Sequence, residues 1–355
     1  MPGREPKWWY GAQQHWQAIL LSPAGRLAGT IAAARLAKSP SYRSRLPVIC
    51  IGNFTVGGSG KTPLAMLIAK LVSEEGWAPW FLSRGYGGRI AGPIRVDPNA
   101  HSSDEVGDEP LLLARHAPIF VSRDRCAGAK AIEAVAPDNG VIIMDDGLQN
   151  PYLAKDLVIA VVSGERGFGN GLVIPAGPLR APLRAQIGLA DIIVVAKQSS
   201  RENLELFDVL RARTQAPIVS ATTRPAGNAA HLRGRRVVAY AGIANPDRFF
   251  SMLENLGAFV IERRAFPDHH TFAASEARAL TDMARRLSAD LVTTEKDLMR
   301  LSGMKDACGD LRDHSIALGI ETAMEGKDLA VLKNKIREAV ARYCPRSSGR
   351  SLSSR

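Results

Sequence analysis

One stretch limits the possible folds more than any other. It runs Val48-Ile-Cys-Ile-Gly-Asn-Phe-Thr-Val-Gly-Gly-Ser-Gly-Lys-Thr62 and continues into a helical pattern carrying Leu64, Leu67, Ile68 and Leu71. An apolar strand enters a glycine-rich loop that opens directly into a helix, the setting a phosphate-binding P-loop requires. Gly57, Gly58 and Gly60 let backbone N–H groups surround phosphate oxygens, and the positive end of the helix adds to them. Lys61 would reach the β- and γ-phosphates of a nucleotide, and the Thr62 hydroxyl would bind Mg²⁺. Thr55, Val56 and Ser59 complete the loop. Thr55 stands where the consensus has its first glycine, at a bend that makes few phosphate contacts.

A P-loop also needs a metal-side carboxylate at the end of a neighbouring strand. Val141-Ile-Ile-Met-Asp145-Asp146-Gly147 supplies one: four apolar residues, then two acids at the carboxyl edge of the sheet. One acid would sit on the ion and the other on its waters; the competing reading is an ordinary strand-ending Asp-Gly turn.

The rest of the chain repeats this alternation. Strands are expected at 48–51, 80–82, 119–121, 141–144, 157–162, 192–195 and 218–220, with helices over 62–75, 110–115, 126–135 and 202–213. Buried-looking strands alternating with helices give an α/β fold, a mostly parallel sheet covered on both faces. Residues 222–236 have linker composition, and a second, smaller α/β set follows with strands at 237–241, 259–262, 291–294 and 316–318. The expected organisation is an N-terminal helical region over 1–45, a P-loop domain over 46–225 and a smaller α/β domain over 226–345. The Ser/Arg-rich tail 346–355 would be disordered.

Charge adds a constraint. The 355 residues carry a net +11, and the first 45 hold seven basic residues against Glu5 alone. Trp8, Trp9 and Trp16 interleave with these bases and with Ile19, Leu20, Leu27, Ile31 and Leu36. That pattern suits a helix lying in a headgroup boundary, although a helix packed on its own domain would read similarly. No run approaches the ~20 apolar residues that cross a bilayer, and no cleavable leader is evident. The four cysteines are widely spaced, which fits a reducing compartment and neither a disulfide framework nor zinc.

Among P-loop proteins, GTPases read guanine with Asn-Lys-x-Asp after a late strand. Here Val194-Val-Ala-Lys-Gln-Ser199 has no such aspartate. Val56 replaces the lysine that partitioning-type ATPases carry before Gly-Gly, and no nucleic-acid recognition motif is present.

The chain resembles the tetraacyldisaccharide 4′-kinase family over nearly its whole length. The landmarks are Gly52-Asn53, Val56-Gly-Gly-Ser-Gly-Lys-Thr-Pro63, Ser83-Arg84-Gly85-Tyr86-Gly87 and Gly107-Asp108-Glu109-Pro110. Asp145-Asp146-Gly147-Leu148-Gln149, Pro175-Ala-Gly-Pro-Leu-Arg180, Phe266-Pro267-Asp268-His269 and Thr293-Thr294-Glu295-Lys296-Asp297 follow in order. Leu148 and Asn150 depart from the usual Phe and His, at positions that touch neither metal nor phosphate. The resemblance implies a kinase that uses ATP and Mg²⁺ to phosphorylate the 4′-hydroxyl of a membrane-borne acylated glucosamine disaccharide 1-phosphate. It implies a peripheral protein on the cytoplasmic face of the bacterial inner membrane, with a membrane surface and a lipid as partners, no nucleic acid and no obligate protein partner. The alternative from another class is a P-loop ATPase or GTPase serving as a switch or metallochaperone for a protein partner.

Site residues follow from the same likeness. On residues alone, Gly-Asp108-Glu109-Pro110 reads as a helix start with capping acids; the resemblance makes Asp108 the proton acceptor. His269, otherwise a loop histidine beside Asp268, becomes its partner. The two are some 160 residues apart, so the active site is expected between the domains. Arg84 and Arg125 would stabilise the transferring phosphoryl group or hold the substrate's own phosphate, with Arg180 a weaker third. Glu109 would contact substrate, and Gln149 would support the metal acids. Thr294, Glu295 and Asp297 would shape the nucleotide side.

Overall fold

The computed structural model describes residues 5–11, 15–58, 60–197 and 203–343. Ser59 and the 346–355 tail lie outside the described residues.

Thirteen strands are described. They are β1 (Val48–Asn53), β2 (Ala78–Ser83), β3 (Ile94–Arg95), β4 (Ile119–Val121), β5 (Gly140–Asp145), β6 (Leu157–Ser163), β7 (Ile192–Lys197) and β8 (Ile218–Pro225). β9 (Arg236–Ala241), β10 (Phe259–Ala265), β11 (Asp290–Thr294), β12 (Ser315–Leu318) and β13 (Ile320–Ala323) complete the set. The helices are α1 (Trp16–Leu36), α2 (Lys61–Glu74), α3 (Ser103–Val106), α4 (Asp108–Leu113), α5 (Arg125–Glu133) and α6 (Leu183–Ile187). They continue with α7 (Leu204–Arg211), α8 (Pro246–Asn255), α9 (Ala274–Leu287), α10 (Glu295–Arg300), α11 (Ala307–Asp313) and α12 (Gly326–Ala341).

The strands form two sheets, ordered β13-β8-β7-β6-β1-β5-β2-β4-β3 and β10-β9-β11-β12. In the large sheet only the edge pairs β3–β4 and β13–β8 are antiparallel. Its central strands alternate between two cores. Ile49 and Ile51 of β1 and Val141 and Ile143 of β5 face α2, α4 and α12, whereas Val48, Cys50, Ile142 and Met144 face α5 and α7. Burial on both faces explains why these strands read as continuous apolar runs. Truncating one such side chain, for instance Ile143→Ala, would cost about 2–5 kcal/mol.

Two short elements have too little pattern to be legible in the sequence: β3 spans two residues and β13 four. β13 matters more. It pairs with β8 of the large sheet, and α12 packs Leu332, Ile336, Ala339 and Val340 into the core beneath α2. Residues 320–341, expected in the smaller unit, therefore return to the larger sheet.

At the other end of the chain, α1 turns its small residues inward. Ala18, Gly25 and Gly29 are buried, the two glycines against the segment from Val173 to Pro182. A Cβ on Gly25 would lie 2.7 Å from the Val173 carbonyl oxygen, so only glycine permits this approach. The bulky side chains point outward, with Trp16, Leu20, Leu27 and Ile31 64%, 69%, 65% and 63% exposed. The packed reading of this helix therefore holds for its small-residue face, while the opposite face leaves bulky apolar side chains exposed. Among the described residues no helix is long and apolar enough to cross a membrane.

Candidate active site

The central strand β1 delivers the glycine loop, and α2 begins at Lys61. Gly57 and Gly60 adopt φ of 92° and 86°, which side-chain-bearing residues rarely reach, so the curl of the loop depends on them. Glu5, from the N-terminal segment, lies against Gly57 and pairs with Arg166 at 2.8 Å.

Parallel register carries Asp145 to its place, since it pairs with Ile51 at the carboxyl end of β1. Asp146 follows with φ 50° and lies 3.5 Å from Lys61 Nζ through Oδ1. Its Oδ2 accepts from Arg180 Nη1 at 3.0 Å, while Arg180 Nε donates to the Thr55 carbonyl at 3.2 Å. Gln149 Nε2 donates to the carbonyl of Asn53 and to Gln186 Oε1, both at 2.8 Å, and its Oε1 accepts from Arg180 at 3.4 Å. Gln149 thus supports the base of the loop, and Arg180 has a larger part than its sequence context indicated. Burial would raise the Asp146 carboxyl, but Lys61 and Arg180 outweigh it and lower it to about 2.

Asp145 has the opposite balance. Burial, then the charges of Glu109 and Asp146, push its carboxyl above the usual range. Among the described residues, Asp145 Oδ1 and Asp146 Oδ1 are buried without a hydrogen bond, the latter with only the Lys61 ammonium at 3.5 Å. Buried carboxylate oxygens left without hydrogen bonds at the end of β5 fit a hard, oxygen-seeking divalent cation. Among the described residues no cluster of three or more His, Cys, Asp or Glu could hold an ion alone. Thr62, nucleotide oxygens and water would complete the shell, as suits Mg²⁺.

Arg125 differs from expectation. Its guanidinium is buried and donates to the carbonyls of Ser122 at 2.6 Å and Asp145 at 3.3 Å. It braces the end of β5 from behind instead of overhanging the loop, and burial lowers its pKa to about 10. Arg84 is exposed.

Across from the loop, the dyad expected between distant segments is assembled. His269 Nδ1 lies 3.3 Å from Asp108 Oδ2. His269 has φ 57°, and with Asp146 and Ser288 it makes up the positive-φ non-glycine residues among those described. Two of these three strained residues stand in this site, where strain is commonly stored. The Tyr86 ring centroid lies 5.8 Å from that of His269. Burial would raise the Asp108 carboxyl, but the His269 hydrogen bond and the Lys296 and Arg300 charges hold it well below the usual range.

Glu109, expected at the substrate, accepts from Thr62 Oγ1 at 3.4 Å and from Lys296 Nζ at 2.5 Å. Thr294 and Asp297 build α10: Thr294 Oγ1 accepts from the Asp297 N–H at 3.1 Å, capping the helix. Sequence reasoning missed Lys296 and Arg300. The available signal was a one-turn segment that mixes charges with Leu298, Met299 and Leu301, an apolar setting in which charges need partners.

A phosphotransferase needs groups that grip phosphate on one side and a carboxylate that can receive an alcohol's proton on the other. Both are present, and they make this chain a kinase-type P-loop protein. The model of the tetraacyldisaccharide-1-P 4′-kinase (LpxK) family matches residues 17–339. The chain belongs to that family. It is 50% identical over 299 residues to the tetraacyldisaccharide 4′-kinase of Methylobacterium radiotolerans, covering 84% of this chain and 89% of that one. It is 44% identical over 341 residues to the Methylorubrum populi kinase, covering 96% and 99%. The crystal structure of the "apo" form of LpxK from Aquifex aeolicus in complex with ATP aligns with a TM-score of 0.70 at 27% identity. It covers 91% of this chain and 99% of that one.

Proposed function

We propose that this protein transfers the γ-phosphoryl group of ATP to the 4′-hydroxyl of a tetraacylated glucosamine disaccharide 1-phosphate. The observation that carries the reading is the 3.3 Å contact of Asp108, at the start of α4, with His269, after β10, next to the Glu109 that bonds Thr62 of the phosphate loop. A nucleotide switch has no use for such a pair; an alcohol acceptor does.

The residues divide the work. Backbone N–H groups from Thr55 to Thr62, with Lys61, hold the phosphates. Thr62, Asp145 and Asp146 would hold Mg²⁺, which neutralises charge on the transferring group. Arg180 and Gln149 fix Asp146, and Arg125 fixes the strand end beneath Asp145. Asp108 orients the hydroxyl and receives its proton, with His269 beside it. Arg84 is the exposed cation available to the substrate's own phosphate, and Glu109 links the Thr62 hydroxyl to Lys296.

The exposed apolar face of α1 supports attachment to the membrane that carries the substrate, and the reading puts the protein on its cytoplasmic side. The P-loop and smaller-sheet units act as two bodies that close over ATP.

The deciding experiment follows labelled γ-phosphate from ATP onto an acylated disaccharide 1-phosphate in detergent micelles, comparing the intact chain with Asp108→Ala. Transfer by the intact chain and its loss in the variant are expected. ATP hydrolysis without labelled glycolipid would sink the proposal.

A further inference from the structure

Arg300 has no part in the chemistry above, yet it is the cation most heavily engaged with the reacting carboxylate. It ends α10, is 7% exposed, and sits beside Met299, which is buried in the core of the large sheet. Nη2 and Nε donate to Asp108 Oδ2 at 2.5 and 3.1 Å. On its other side, Nη1 donates to Asp297 Oδ1 at 2.6 Å and to the Gly242 carbonyl at 2.5 Å. Asp297 is itself anchored, accepting from Gly242 N–H at 3.1 Å and from Thr294 Oγ1 at 2.6 Å. The smaller sheet thus holds the guanidinium from behind, and the guanidinium holds Asp108 in front.

The two oxygens of Asp108 are left unequal. Oδ2 receives both Arg300 donors and faces His269 Nδ1. Among the described residues, Oδ1 accepts only the Glu109 N–H, at 3.0 Å. A carboxylate oxygen offers about two acceptor sites, so Oδ2, shared by the Arg300 donors and His269 Nδ1, is fully occupied and Oδ1 keeps one site open.

We propose that Arg300 is a positioning residue, which locks the Asp108 carboxylate so that Oδ1 meets the acceptor hydroxyl, and does so only when the smaller sheet is docked on α4. The proposal rests on Asp108 being the proton acceptor. In the step, the alcohol oxygen bonds to the γ-phosphorus as the bond from that phosphorus to the β–γ bridging oxygen breaks. The hydroxyl proton passes to Oδ1, and Arg300 keeps its own protons throughout. The other charged or titratable groups around Asp108 are Lys296 and Asp297 on α10, His269 after β10 with Asp268 beside the imidazole, and Glu109 on α4 itself.

The test compares Arg300→Met, Arg300→Lys and Asp108→Ala for phosphoryl transfer to the lipid, with melting curves to check folding. Loss of positioning in Arg300→Met is expected to lower kcat about 100-fold while KM for ATP moves less than about threefold. The acidic limb of the pH–rate profile should also move to higher pH, because Asp108 loses its cation. Arg300→Lys restores charge without the two-donor grip, so it should recover part of kcat and part of the shift. Arg300→Met with kcat near that of the parent, or with a lowered kcat and an unmoved acidic limb, overturns the proposal. If Arg300→Met does not fold, Arg300→Lys decides: an unmoved limb overturns it and a raised limb upholds it. Asp108→Ala that transfers phosphate normally removes the acceptor assignment and the proposal together. Loss in Asp108→Ala with normal Arg300→Met removes the proposal alone.

Discussion

Lys296 on α10 and Glu109 on α4 form a 2.5 Å ion pair that joins the smaller sheet to the helix that begins with the dyad's aspartate. Burial would lower the lysine's pKa, but Glu109 and Asp108 overcome it and raise it above its ordinary value. The side chains keep 29% and 28% exposure, so water screens part of this interaction. Lys296→Met should cost about 1–2 kcal/mol, below the roughly 3–5 of a fully buried broken pair. Chemical denaturation measures that loss. The same variant should lower kcat with Glu109 unpaired beside Thr62; activity equal to the parent would make the pair purely structural.

Asp145 stores destabilisation. Its folded pKa is raised, so the ionised form is disfavoured and stability contributed by the neutral form is lost as pH rises through the folded value. Asp145→Asn should therefore stabilise the metal-free protein by about 1 kcal/mol while abolishing transfer. A thermal melt with and without Mg²⁺ gives the check. Parent Tm should rise on adding Mg²⁺ and nucleotide, and the variant's should move much less.

His269 has a raised pKa, set first by its hydrogen bond to Asp108 against the opposing effect of burial. A raised folded value gives stability that is complete below the unfolded value of about 6.5 and is lost as pH climbs through the folded one. Tm of the parent minus that of His269→Gln should accordingly be larger at about pH 6 than at about pH 9. A difference that grows with pH would mean the imidazole is held neutral.

For α1, the two faces should separate in experiment. Gly25→Leu drives a side chain into the Val173 carbonyl and should lower Tm, because overpacking of this kind costs about 1–3 kcal/mol. Leu20→Ser with Leu27→Ser should leave Tm within about 1 °C, since both side chains are exposed. Those two changes should instead weaken sedimentation with anionic vesicles. Unchanged vesicle binding would remove the membrane role from this face.

Much of this was legible because strand, loop and helix periods agree along the first half of the chain. Asp145 was predictable because four apolar residues followed by acids end a strand at the carboxyl edge of the sheet, and the register sets it level with Ile51. The Asp108–His269 meeting was reached through family resemblance, since nothing local links residues so far apart. Arg300 and Lys296 escaped for the same reason. Their partners lie on α4, 192 and 187 residues away, and a six-residue helix has too short a period to reveal its facing side. Arg125 was misjudged because a loop arginine reads as solvent-facing until the carbonyl ends of β4 and β5 are seen to enclose it.

The chain leaves the large sheet through β8 and comes back to that same strand through β13. A unit threaded between two adjacent, hydrogen-bonded strands is attached like a page at its spine. Tilting toward or away from the glycine loop would spare the β8–β13 ladder, whereas twisting would have to tear it. Every approach of His269 and Arg300 to Asp108 should then follow one shared arc, so that the imidazole and the guanidinium arrive together or not at all.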